Sequence, residues 1–203
     1  MTLAAKSLLD NDVVVVRQRP KFIEVTNQYD LLDTAGTALG TVHEVGQSAA
    51  RKAIRLFTNF DQYLTHRYEV KDASGAILLS LVRPAKIMKS KIEVSDADGV
   101  LVGTIVQRNI IGSKRFGFEA PDGTDLGEIQ GESWISWNFQ IKDATGTPVG
   151  RVDKKFAGLL SEAFTTADTY VLTLEKALAG PTRVLAFAAA VAIDTALKQD
   201  DAN

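Results

Sequence analysis

Only two side chains in this sequence ordinarily titrate near neutral pH, His43 and His66. They are far apart, and neither stands in a metal-ligand spacing such as H-E-x-x-H. His43 adjoins the apolar Val42, which suits a surface or strand-end place better than catalysis. There is no cysteine, so disulfides, thiolate metal sites and cysteine nucleophiles are excluded. No G-x-S-x-G elbow, Walker loop or G-x-G-x-x-G fingerprint occurs. Asp96-Ala-Asp98-Gly99 opens like a calcium loop but lacks the acidic ligands that should follow. Nothing here supports an enzyme; only a carboxylate-based site, which leaves no motif, stays open.

The remaining chemistry is positive charge. Arg83, Lys86, Lys89 and Lys91 cluster around the apolar Ile87 and Met88, and Arg51, Lys52 and Arg55 form a second group. Near an anionic lipid surface each basic residue is worth about 1 kcal/mol, so four give weak peripheral binding. The plainer reading of both clusters is a solvated rim. Lys114-Arg115 and Lys154-Lys155 are shorter and read as merely exposed. The 203 residues carry a net charge of −2, so nucleic acid is not expected as a partner and any anionic surface must be met by a local patch. The opening MTLAAKSLLDND has no apolar stretch long enough for a signal peptide. The expected compartment is the cytoplasm, with peripheral contact at the inner membrane face.

The elements that must carry these residues repeat. Four-residue turns occur at DTAG, DASG, DADG, APDG and DATG, ending on Gly36, Gly75, Gly99, Gly123 and Gly146. Asp first and Gly fourth is type I turn chemistry; in APDG a Pro at the second place does similar work. Counted from each Gly, places −7 and −5 are apolar in all five units, as in Tyr68/Val70 and Phe116/Phe118. Their period of two marks strands with one buried face. Places +3 and +6 are apolar as well, although an odd separation would put them on opposite faces. Four units have Gly at +4 (Gly40, Gly103, Gly127, Gly150), which predicts a bulge that turns both inward. The chain therefore contains five β-hairpins. Before them, residues 1–12 read as a poorly fixed leader and residues 13–16 as a buried strand. Residues 47–58 are expected to form a short amphipathic helix. Trp134 and Trp137 are assigned to core or rim packing.

Residues 184–193, VLAFAAAVAI, are unbroken apolar sequence. Pro181 suits a first helical turn and Thr182 a cap. Ten residues cover about 15 Å as a helix, whereas a bilayer core needs about 20 residues. A helix apolar on every side is buried in protein or lipid, and five hairpins with apolar inner faces need something to cover. The expected fold is therefore mostly β (α+β): a closed antiparallel barrel of about 12 strands around a buried C-terminal helix. It forms a single domain over residues 1–203, with its core at about 13–198.

The ordered hairpins, the run Ala167-Asp168-Thr169-Tyr170-Val171-Leu172 and the closing VLAFAAAVAIDTAL resemble the phospholipid scramblase-like and LURP-one-related proteins of the Tubby C-terminal-like superfamily. The resemblance implies a barrel threaded by its last helix, association with membranes and phospholipid headgroups as partners. It also implies a calcium site just before that helix, where Asp168 and Glu175 are the matching carboxylates. Calcium takes six to eight oxygens, so two carboxylates match poorly and no cofactor is expected. Two other roles follow from the same residues. One is a true scramblase with its helix in the bilayer. The other is a scaffold or small-ligand carrier that uses the barrel interior.

Overall fold

The computed structural model describes residues 8–19, 28–46, 65–84, 90–109, 112–133, 137–154 and 169–197, with backbone alone for 193–197. Twelve strands form the wall: β1 (Val13–Gln18), β2 (Gln28–Leu32), β3 (Ala38–Val45), β4 (His66–Asp72), β5 (Ile77–Arg83), β6 (Lys91–Asp96), β7 (Leu101–Gln107), β8 (Arg115–Glu119), β9 (Asp125–Gly131), β10 (Phe139–Asp143), β11 (Pro148–Asp153) and β12 (Thr169–Leu174). Each pairs antiparallel with its sequence neighbour, and β1 pairs with β12 to close the barrel. Closure leaves no free sheet edge. One helix, α1 (Gly180–Leu197), follows β12. The expected architecture is the observed one. The helix expected at 47–58, and Trp134, lie outside the described residues.

All five turns form as their sequences dictate. Gly36 N–H donates to Asp33 O at 3.1 Å, and the other four turn glycines make the equivalent bond. These glycines have φ between 80 and 87°, a region closed to most L side chains. Because strands β2 to β11 are joined pairwise by these turns, all five turns lie at one end, termed the turn end. The register Val15↔Leu32 and Val13↔Thr173 brings the start of β1 and the finish of β12 to the same end. The opposite end is termed the mouth.

Each hairpin carries a bulge one turn from its tip. The register shifts at Leu31/Leu32, Val70/Lys71, Val94/Ser95, Phe118/Glu119 and Ile141/Lys142. The extra residue is the +3 apolar one, such as Leu39, Leu78 or Leu126, which is half-buried against the core. The +6 residue then points fully inward, so both apolar places reach the interior, as the spacing predicts. The glycine at +4 has a steric reason. A Cβ on Gly103 would lie 2.5 Å from Glu119 O and 2.9 Å from Leu185 Cδ1. Wall and helix approach too closely there for any side chain.

Inside, α1 fills the barrel. Leu185, Phe187 and Val191 are at most 2% exposed, and they share one core with Val70, Val94 and Phe118. The alanines between them let the helix lie close to the wall. Two local expectations are corrected. Thr182 is not a cap: it lies within α1, and its hydroxyl donates to Leu126 O at 3.5 Å. The helix begins instead at Gly180, whose φ of 64° turns the chain inward. The leader is also fixed from Leu8 onward, because Leu8 is buried in the core and residues Leu8–Asp10 form a 3-10 turn.

Candidate functional site

The inward alternation of each hairpin continues toward the mouth, and there it becomes polar. Places +4 and +6 face in, so +8 does too; place −9 shares the face of −7 and −5. In the first two hairpins these places are Glu44, His66 and Arg83. All three are buried. His66 Nδ1 and Glu44 Oε1 are hydrogen-bonded at 2.6 Å with both side chains wholly buried. His66 stacks on Tyr68 with ring centroids 6.4 Å apart. Arg83 faces His66 directly across β4 and β5. In the sequence His66 is weighed only against metal-ligand spacings. The signal that would have placed it was the strand parity already visible in Tyr68 and Val70.

The same rule places Trp137 and Lys154 on the opposite side of the mouth. The Trp137 and Tyr170 rings are 6.2 Å apart. Lys154 Nζ lies 5.0 Å from the Trp137 ring centre and 5.8 Å from that of Tyr170. This is cation–π geometry. Lys154 is therefore half-buried in an aromatic corner, not simply exposed. Trp137 has the rim-packing role expected of it.

The expected lipid-contact residues separate. Arg51, Lys52, Arg55, Lys86 and Lys89 lie outside the described residues. Lys91 is exposed and pairs with Glu93 at 3.3 Å. Arg83 does not belong to a surface patch: it is 7% exposed, because place +8 points into the barrel. The strand ends that bracket these segments, Val45 with His66 and Arg83 with Lys91, all lie at the mouth.

Of the two carboxylates matched to a calcium site, Asp168 lies outside the described residues. Glu175 follows Leu174 at the turn end and is exposed. Among the described residues no group of three or more His, Cys, Asp or Glu side chains is placed to hold a metal.

His43 points outward, with Nε2 at 3.1 Å from Thr41 Oγ1. On the outer wall a groove of about 530 Å³ runs across β8, β9 and β10. Arg108 lies flat over Gly117, where a Cβ would collide with its guanidinium. It bridges Glu119 at 3.2 Å and Asp125 at 3.0 Å, while Arg115 meets Glu128 at 2.7 Å. These arginines are matched by carboxylates, so the groove does not concentrate positive charge.

The turn end is acidic by construction. Asp33, Asp72, Asp96 and Asp143 each accept two backbone amides from their own turn through Oδ1. The Thr37 amide holds the Asp33 carboxyl below the usual carboxylate range. The Ser74 hydroxyl does this for Asp72, the Thr124 amide for Asp122 and the Thr145 hydroxyl for Asp143. Hydrogen bonds to the charged form favour it.

Comparison with known proteins finds relatives in two yeasts. A Schizosaccharomyces pombe phospholipid scramblase family protein is 28% identical over 188 residues, which cover 83% of this chain and 47% of that protein. The Saccharomyces cerevisiae altered inheritance rate of mitochondria protein 25 is 24% identical over 204 residues, covering 84% of this chain and 61% of its own length. The chain thus spans about half to three-fifths of these curated relatives. No solved structure gives a significant match. Among the described residues, no helix is long and apolar enough to cross a membrane. The family model described as Scramblase matches residues 3–197, nearly the whole chain, and this helix-filled barrel belongs to the scramblase family.

Proposed function

We propose that the protein is a non-enzymatic, peripheral binding module for anionic phospholipid headgroups, working at the cytoplasmic face of a membrane. The observation that carries this reading is the burial of Leu185, Phe187 and Val191 inside the barrel. An apolar helix used up by folding offers nothing to lipid tails, so membrane contact must come from the charged exterior. Family membership supports phospholipid as the partner class. Lys86, Lys89, Arg51, Lys52 and Arg55, together with the exposed Lys91, are the candidate contacts. Vesicle flotation tests it. The protein should float with phosphatidylcholine vesicles that contain phosphatidylserine and stay behind with phosphatidylcholine alone. Lys86→Glu with Lys89→Glu should weaken flotation at least tenfold. Equal flotation with both vesicles, or with neither, refutes the proposal.

Similarity to a fission-yeast phospholipid scramblase family protein favours a second reading, lipid translocation. It would require α1 to leave the barrel or lipid to move along the outer wall. Quenching of a fluorescent lipid in the same vesicles separates the two: binding without translocation supports the module, and rapid translocation supports the scramblase.

A further inference from the structure

We infer that the barrel docks on an anionic lipid surface with its mouth toward the surface and its hairpin turns pointing away. This inference rests on the membrane reading above and adds its geometry. The carboxylates at the turn end are a product of the fold. In four of the five turns the first-position Asp holds the backbone through two amides, in the remaining one Asp122 accepts a single amide, and antiparallel pairing gathers all five at one end. The carboxyls of Asp33, Asp72, Asp122 and Asp143 are held in their charged form by their own turns. Exposed cations lie at the other end: Arg19, Arg67, Lys91 and Arg115 sit at or beside strand ends facing the mouth, and the carboxylates that Arg19, Lys91 and Arg115 meet, Asp30, Glu93 and Glu128, stand further down the wall from that end.

The distance between these ends decides how they act. Strands of six or seven residues span about 20 Å, and charges are screened beyond about 8 Å at physiological salt. An anionic surface therefore senses one end at a time, not the net charge of the chain. Each basic residue brought to such a surface is worth about fivefold in affinity, and each carboxylate opposes it. The turn end also carries the exposed apolar residues Ile77, Val100 and Leu101. Inserting them would bring Asp72, Asp96 and Asp98 to the headgroups, so charge opposes that orientation.

The natural absence of cysteine makes a direct test possible. Single Pro84→Cys and Val100→Cys variants, both at exposed places, would carry an environment-sensitive fluorophore at the mouth and at a turn tip. On phosphatidylcholine–phosphatidylserine vesicles the Pro84 probe should shift to the blue and the Val100 probe should not. Arg67→Glu with Lys91→Glu should weaken binding at least about tenfold, whereas Asp72→Asn with Asp98→Asn should change it less than twofold. Binding with a shift at Val100, or with a shift at neither place, overturns the orientation but leaves lipid binding standing. No binding to any vesicle refutes the membrane reading, and the orientation falls with it.

Discussion

Glu44 and His66 are the pair whose loss should be felt most at the level of single residues. Both side chains are wholly buried and 2.6 Å apart, so removing one takes a short buried hydrogen bond away from the other. Such losses cost about 2–4 kcal/mol, and in a chain of this size each kcal/mol lowers Tm by roughly 2–4 °C. Glu44→Ala should therefore lower Tm by about 4–16 °C in calorimetry. Glu44→Leu combined with His66→Phe should recover much of that loss, because an apolar pair removes both buried polar groups at once. A change below 2 °C for Glu44→Ala would show that the pair does not hold the wall. Neither residue stands in a recognisable motif. Their inward direction was nevertheless written in the parity of β3 and β4, two places beyond residues read correctly as core. What the chain order could not show was that β3 brings Glu44 beside His66, since residues 47–64 separate them.

At the scale of the element, the hairpin explains both the legible and the illegible parts of the fold. Asp, Gly and alternating apolar places act over a few residues, so turns, bulges and buried faces could all be read locally. The same Asp carboxyls set an acid limit. Their folded pKa values lie below the ordinary 3.8, so they contribute stability that is fully present above that value. The contribution is lost as pH falls through the lowered folded values. The urea midpoint should accordingly be flat down to about pH 4.5 and fall below pH 4. Asp143→Asn should flatten that fall. An unchanged acid profile in a variant with all four replaced by Asn would show that the turns are not its cause. The N-terminal leader was misread because its partners are remote. Asp10-Asn11-Asp12 resembles a loose turn, yet Leu8 is drawn into the core, and Arg183 of α1 holds the segment from 172 residues away.

That arginine matters at the scale of the whole molecule. Its guanidinium donates to Leu9 O at 2.7 Å, Asn11 O at 2.9 Å, Leu178 O at 3.1 Å and Asp12 Oδ1 at 3.1 Å. It fastens the start of the helix to the chain that closes the turn end. Arg183→Met keeps most of the apolar stem but removes every donor, and should cost about 3 kcal/mol. Amide hydrogen exchange should then accelerate at Leu9 and Asn11 before it does in β8 or β9. Uniform acceleration would mean that Arg183 supports the fold as a whole and is not a local fastening. The amino-acid sequence by itself determined the hairpins, their inner faces, the bulges and an apolar helix too short to span lipid, because each depends on residues only a few places apart. Tertiary structure alone decided where charge goes. Closure of the wall gathered the turn carboxylates at one end and exposed cations at the other, took Arg83 out of its surface cluster and placed it opposite His66, and separated Glu175 from the mouth by the length of β12. The physical reason is that charge acts through space: only the folded barrel sets the distances between groups remote in the chain and the solvent around them.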